Sequence, residues 1–286
     1  MRVLVTGAGG QLGRALLDAA PAGMALRARS HAELDIADRS AVEAELADFA
    51  PELLINAAAY TRVDEAERAP EAAARANAEG PRTLADVCRS GGCWLTHVST
   101  DFVFDGRQGH PYAPDARPNP LSVYGRTKRE GEIAVLEALP ERSTLVRASW
   151  LYSTAGGFAM RMLELMRSRP EIRVVSDQVG APTHAAGLAG VLWALSTRRA
   201  AGIWHWCDSG VASWYDFAVA IAEQAVLLEL LPGAPPVTPI GSADYPTPAP
   251  RPSYSVLDKR ATEKLLGFTA PHWRTALRAT LAGLVP

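Results

Sequence analysis

Between residues 3 and 13 a short apolar run, Val3-Leu4-Val5-Thr6, gives way to Gly7-Ala8-Gly9-Gly10 and then to helical apolar spacing at Leu12, Leu16 and Leu17. Such a run reads as a strand, and a glycine turn passing straight into a helix leaves that helix's first amides free to meet an anion. Gly7 would let the chain turn tightly, Gly10 would let backbone amides approach a pyrophosphate, and Gly13 would let helix and strand pack closely. The spacing is Gly-x-x-Gly-x-x-Gly rather than Gly-x-Gly-x-x-Gly. Alone it therefore fits a plain strand-to-helix loop as well as a phosphate cradle.

The same alternation recurs along the first half of the chain. Strands are expected near 3–6, 24–28, 53–56, 94–99 and 144–147, and helices near 11–20, 40–49, 71–89 and 122–139. Repeated strand–helix units predict an α/β fold, a Rossmann-like doubly wound parallel sheet over residues 1–150. Beyond Trp150 the alternation loosens. Helical patterns at 158–168, 184–197, 214–230 and 272–283, with strands at 172–175 and 202–206, predict a smaller mixed α/β portion over 151–286 that mainly binds substrate, the chain being free to cross back. Eight prolines between Pro232 and Pro252 exclude a regular helix or a central strand there. A connecting loop and a semi-rigid lid both remain open for that segment.

Twenty-nine Lys and Arg against thirty-one Asp and Glu leave a net charge of −2, so nothing favours a nucleic-acid backbone or an anionic membrane as partner. Cys88, Cys93 and Cys207 form no Cys-x-x-Cys pair, and the six histidines show no ligand spacing, which argues against a metal site or a disulfide framework. The apolar start is too short for a signal-peptide core and no run approaches a membrane span. A cytoplasmic protein is expected. His97 lies where it could tune a site at the end of the fourth strand, whereas Trp204, Trp206 and Trp214 read as core and Tyr152 as packing or pocket wall.

Two segments carry chemistry. Tyr124-Gly125-Arg126-Thr127-Lys128 puts a phenol and an ammonium four residues apart, on one helix face. Val98-Ser99-Thr100-Asp101 ends the predicted fourth strand, where open α/β sheets bind their ligands. Carbonyl reduction needs a hydride donor, a proton donor and hydrogen bonding to the developing alkoxide. Tyr124 can give the proton, Lys128 can lower its pKa and hold a nicotinamide ribose, and Thr100 can hold the oxygen. At the end of the second strand Arg27, Arg29 and Ser30 suit a 2′-phosphate, which leans the cofactor from NADH slightly towards NADPH. Asp35-Ile36 either flanks the adenine, or Asp35 or Asp38 caps the next helix.

With these residues the sequence resembles the extended short-chain dehydrogenase/reductases that act on nucleotide sugars. Further segments narrow the likeness: Asn56-Ala57-Ala58-Ala59-Tyr60-Thr61 with Val63-Asp64, Ser99 to Gly106, Asn119-Pro120, Arg147 to Tyr152, Asp177 to Thr183, and Tyr245 to Pro248 with Arg251-Pro252. In order over nearly the whole chain, they resemble the dTDP-4-dehydrorhamnose reductase family. The resemblance implies NAD(P)H-dependent reduction of the C4 keto group of dTDP-4-dehydro-β-L-rhamnose. It places Gly10, Gln11 and Leu12 at the cofactor pyrophosphate, Asp35 and Ile36 at the adenosine, Ala59, Tyr60 and Thr61 at its middle, and Val98 beside the nicotinamide. Tyr124 becomes the proton donor, Lys128 its partner on the cofactor, Thr100 and Asp101 sugar contacts, and Trp150 a pocket wall. Arg251 is expected at the substrate pyrophosphate, since its planar fork suits phosphate oxygens.

Two departures stand out. Where many members read Arg-Pro-x-Asn-Ser, this chain has Arg251-Pro252-Ser253-Tyr254-Ser255. Magnesium bridges dimers in part of the family through a carboxylate on the first helix, but Arg14-Ala15-Leu16 stands here, so no metal is expected, and the chain is expected as a monomer or a homodimer. A dehydratase would pair an acid and a base after Thr100, yet Asp101 is followed by Phe102. The same scaffold could also carry an epimerase, a different 4-ketoreductase or a non-catalytic NADP-binding regulatory subunit.

Overall fold

The computed structural model describes residues 1–285. In chain order the first half comprises β1 (Arg2–Thr6), α1 (Gln11–Asp18), β2 (Ala25–Arg29), α2 (Arg39–Phe49), β3 (Leu53–Asn56), α3 (Val63–Ala66), α4 (Pro70–Ala74), a π-helical turn (Arg75–Glu79), α5 (Gly80–Gly91), β4 (Trp94–Thr100), α6 (Val123–Ala138) and β5 (Ser143–Ala148). The second half adds β6 (Leu151–Tyr152), α7 (Phe158–Ser168), β7 (Ile172–Val175), β8 (Val179–Gly180), β9 (Thr183–His184), α8 (Ala185–Thr197), β10 (Gly202–Trp206), β11 (Ala212–Ser213), α9 (Trp214–Leu227), β12 (Val237–Ile240), α10 (Arg260–Leu266) and α11 (Trp273–Ala282).

Six strands form one parallel sheet in the order β10-β5-β4-β3-β1-β2. Its central strands are apolar on both faces, as a sheet covered by helices on each side requires. Val3, Val5, Leu53 and Ile55 face α1 and α8, where Leu16, Leu188 and Leu192 meet them. Leu4, Leu54 and Leu95 face the other way, onto Val42 and Leu46 of α2, Leu84 of α5 and Val135 of α6. Because β1 lies between β2 and β3, the chain changes direction across the sheet at this point, and a crevice opens at the carboxyl ends of β1 and β3. The expected doubly wound sheet is thus observed.

β10 is the part of the C-terminal half that crosses back, pairing with β5 from Gly202↔Thr144 to Trp206↔Ala148. The rest of that half packs around its own core of Met162, Leu163, Phe217, Ile221, Trp273 and Leu277. Within the proline-rich segment β12 pairs with β7 only, Pro239 opposite Val174. An edge position tolerates a proline, whose missing N–H would interrupt a central ladder.

The helix expected over 71–89 is interrupted. Pro81 has no N–H to give to the carbonyl of Asn77, so the ladder loosens into the π turn before it. A Cβ on Gly131 of α6 would overlap that carbonyl; glycine there lets α6 lie directly on the π turn. Among the described residues no helix is long and apolar enough to cross a membrane.

Candidate active site

The glycine turn adopts the geometry its residues require. Gly7 has φ of 72°, and a Cβ there would come within 2.5 Å of the Ala57 backbone, while one on Gly13 would overlap the Gly7 carbonyl. α1 has Gly10 as its N-cap without any side-chain cap, and Arg14 makes the first helical hydrogen bond, to Gly10. The amides of Gln11, Leu12 and Gly13 are therefore left for an anion. They open onto two adjoining cavities that share Gly10, Ala57 and Ala59, one of about 770 Å³ towards β2 and one of about 490 Å³ over the end of β4. An elongated dinucleotide fits this arrangement, its pyrophosphate on the helix end between the two spaces.

Ser30, Asp35, Ile36, Ala59 and Tyr60 line the first cavity, and Leu12, Gln11, Thr61 and Val98 the second. Arg29 is not brought there. Its Nε donates to Glu45 of α2 at 3.0 Å, and Arg27 binds Glu45 and Asp48, so the two guanidiniums expected at a 2′-phosphate are neutralised on the neighbouring helix instead. Asp38 caps α2 through the amide of Ala41, while Asp35 accepts from the amide of Ala37 and from Arg75 at the cavity wall.

The tight apposition of β4 and α6 builds the second cavity's floor. Ser122 caps α6 by accepting from the Gly125 amide. A Cβ on Gly125 would overlap the Phe102 carbonyl, so glycine lets Tyr124 sit against the turn that follows Thr100. Tyr124 lies beside the Thr100 hydroxyl, and burial pushes its phenol up to about 12, so the lowering expected from Lys128 is outweighed by loss of solvent around the ring. One turn along α6, Lys128 is 2% exposed and donates to the Val98 carbonyl at 2.7 Å. Burial brings its pKa down to about 8, against the upward pull of Glu132. Thr100 donates to Asp101 and accepts from the Phe102 amide. Burial raises the Asp101 carboxyl to about 6, with Oδ2 unpartnered. Tyr124 thus keeps its proton at neutral pH while Lys128 carries most of a charge, the protonation states that proton donation requires.

Behind this floor lies a buried network whose members, His97 apart, are given no role by the sequence alone. Glu132, a further turn from Lys128, is fully buried and receives Arg147 at 2.8 Å through both guanidinium arms, with Arg129 adding a third bond. Arg147 also meets His205 Nε2 at 3.3 Å, so that nitrogen is the acceptor and Nδ1 donates to the Tyr112 carbonyl; burial and the guanidinium press the imidazole down to about 3. Asn77 clamps the cavity-lining Tyr60 by both its amide and its carbonyl and donates to Thr127. A lone Asn before Gly-Pro in an Ala-rich helix was the available signal for this clamp, and the i+4 spacing Tyr124, Lys128, Glu132 was the signal for the buried acid. His97 takes a bond from Asn56 on Nδ1 and is held neutral by burial and by Lys128.

At the far end Trp150 has φ of 46°, a left-handed conformation that costs a bulky residue on the order of 1–3 kcal/mol. Its ring stacks on Trp214 with centroids 3.5 Å apart and presses on Gly180, where a Cβ would collide with it. Trp214, read as core, is therefore a cavity wall. Arg251 also lines this cavity, but its fork is bound to Asp64 at 2.7 and 3.0 Å. Arg251 and Trp214 separate it from a third space of about 300 Å³ lined by Phe158, Met162, Ile172 and Tyr245.

The sequence profile described as the RmlD substrate binding domain matches residues 1–285. The chain is 38% identical to the dTDP-4-dehydrorhamnose reductase of Aggregatibacter actinomycetemcomitans, over 97% of each chain. It is 41% identical to the dTDP-4-keto-6-deoxy-D-glucose reductase of Streptomyces niveus, over 96% of this chain and 95% of that one. The dTDP-4-dehydrorhamnose reductase of Bacillus anthracis str. Ames, crystallised in complex with NADP, superimposes with a TM-score of 0.92 at 33% identity over 99% of each chain.

Proposed function

Since the chain belongs to the family described as the RmlD substrate binding domain, we propose that it is an NAD(P)H-dependent reductase of dTDP-4-dehydro-β-L-rhamnose, yielding dTDP-L-rhamnose. The observation that carries this reading is the buried triad of Thr100, Tyr124 and Lys128 at the end of β4, opening onto a cavity that continues into a dinucleotide-sized cleft. The reduced nicotinamide, when bound, supplies the hydride to C4. Tyr124 donates its proton to the oxygen that becomes the C4 hydroxyl, and the Thr100 hydroxyl holds that oxygen during the transfer. Lys128 stabilises the tyrosinate left behind, its ammonium fixed by the Val98 carbonyl. Asp101 accepts from sugar hydroxyls, the Trp150–Trp214 stack walls the apolar side of the sugar, and Arg251 meets the pyrophosphate. Elimination of water is disfavoured because Phe102 stands where a dehydratase carries its second acid-base group. The buried free thiols Cys88, Cys93 and Cys207 fit work in the reducing cytoplasm.

The Streptomyces niveus relative favours a second reading, reduction of the unepimerised dTDP-4-keto-6-deoxy-D-glucose. One assay separates the two. NADH and NADPH oxidation is followed with dTDP-4-keto-6-deoxy-D-glucose, with and without a 3,5-epimerase. Oxidation that requires the epimerase is the expected result; oxidation without it replaces the substrate, and none in either case overturns the reductase.

A further inference from the structure

Trp150 keeps its place in the sugar cavity against its own backbone preference. At φ of 46° it lies in the left-handed region, where a bulky residue persists only if its surroundings fix it. The main chain is clamped on both sides: the Ser149 hydroxyl donates to the Ala181 carbonyl at 2.6 Å, and the Trp150 carbonyl accepts from the Thr183 amide at 3.1 Å. Neither bond reaches the indole, which keeps its own side-chain rotations. Two residues meet the ring. Gly180 of β8 makes room for it, since a Cβ there would lie within 2.8 Å of three ring atoms. Trp214 covers a face of it, the two planes 6° apart with centroids 3.5 Å apart.

Trp214 is itself tightly placed. β11 pairs antiparallel with β8, Ala212 opposite Gly180 and Ser213 opposite Val179, so the strand that admits the Trp150 ring also sets where α9 begins. Ser213 then caps α9: its hydroxyl accepts from the Asp216 amide at 3.0 Å, while its own amide and hydroxyl donate to the Asp216 carboxylate at 2.8 and 2.7 Å. This reciprocal cap locks the first turn, and Trp214 is the first residue of the helix. Phe158 of α7 tilts against the Trp214 ring at 4.6 Å. Trp214 therefore reaches Trp150 from a frame built by the C-terminal half. Offset aromatic contact is favourable beyond the area it buries, and here it opposes rotation of the Trp150 ring.

We propose that Trp214 is a positioning residue for the reduction: it acts on the sugar through Trp150, holding that indole in the orientation that shapes the cavity over the end of β4. The inference rests on the reductase reading above. The full chain is compared with Trp214→Leu, which keeps apolar volume but no stack, with Trp214→Phe, which keeps a ring, with Trp150→Ala, and with Trp150→Ala combined with Trp214→Leu. Turnover is measured with the 4-keto nucleotide sugar that the wild type reduces, and cofactor affinity by nicotinamide fluorescence. Each protein is also labelled with fluorotryptophan, the Trp150 line being assigned by its loss in Trp150→Ala. Trp214→Leu is expected to lose about 10²-fold in kcat, as a misplaced substrate does, with cofactor affinity unchanged, and Trp214→Phe to recover most of that loss. The Trp150 fluorine line, single and sharp in the wild type, should broaden or split in Trp214→Leu. Because the effect passes through Trp150, Trp214→Leu should cost less than about twofold in the Trp150→Ala background. Undiminished turnover in Trp214→Leu, a full loss in the Trp150→Ala background, a sharp Trp150 line in Trp214→Leu, or cofactor binding that weakens along with turnover overturns the proposal. A wild type that oxidises neither cofactor with either sugar overturns the reductase instead, and the fluorine line alone then decides whether Trp214 holds the ring.

Discussion

Lys128 should cost the protein stability at neutral pH, and replacing it with methionine should return part of that cost while abolishing the chemistry. The ammonium is 2% exposed and has one hydrogen-bond acceptor, the Val98 carbonyl, for three N–H groups. Its displacement from 10.5 to about 8 corresponds to about 3 kcal/mol of disfavoured charge. Because the folded pKa lies below the unfolded one, the stability that Lys128 withholds is fully restored only above 10.5 and is lost as pH falls through about 8. Methionine fills a similar unbranched volume but leaves the Val98 carbonyl without this donor, at a cost of about 1 kcal/mol. Lys128→Met is therefore expected to be about 1–2 kcal/mol more stable than wild type at pH 7, the gain shrinking towards pH 10. Urea unfolding at several pH values measures this difference. In parallel, wild-type kcat/KM for the cofactor should fall about 30-fold between pH 7 and 9.5 as the ammonium deprotonates, since this ratio reports groups of the free enzyme. A methionine variant less stable than wild type at pH 7, or a pH-independent difference between the two, would refute the reasoning.

Tyr124→Phe removes the proton donor but keeps the ring that meets Phe102 edge-on at 5.6 Å. Turnover is expected to fall about 10²–10⁴-fold with the dissociation constant for NADH little changed; single-turnover oxidation monitored at the nicotinamide band measures the first, and a loss below tenfold removes Tyr124 from its role. Arg251→Ala deletes a charge-assisted donor but also frees Asp64, so the KM for the nucleotide sugar should rise roughly tenfold while cofactor binding holds. Steady-state kinetics with both substrates varied measures this, and an unchanged KM would leave Arg251 as a tie between the proline-rich segment and α3.

How much the sequence disclosed follows how local each determinant is. The turn from β1 into α1 is written in consecutive residues, and so is the pair Tyr124 and Lys128, because four residues along a helix fix their relation whatever surrounds them. The end of β4 could be read because the strand pattern from Trp94 to Val98 gives way to Ser99-Thr100-Asp101. What the sequence concealed depends on distant partners. Nothing in Gly202-Ile203-Trp204-His205-Trp206 says that it will extend the main sheet beside β5. Arg27 and Arg29 look like phosphate ligands until Glu45 and Asp48, a helix later, are known to face them.

The return of β10 has a consequence for catalysis as well as for topology. Lys128 owes part of its charge at neutral pH to Glu132, which opposes the effect of burial. Glu132 can remain ionised in a fully buried place only because Arg147 of β5 and Arg129 meet it, since an unpaired carboxylate there would take up a proton instead. Arg147 is in turn oriented by the Pro114 carbonyl and by His205 of β10. His205 can accept that bond only while neutral, and Tyr112 fixes its tautomer. The electrostatics of the proton donor's helix are therefore completed by a strand that arrives far later in the chain. The C-terminal half does more than cover the sugar: through β10 it sets the charge on which Lys128 depends.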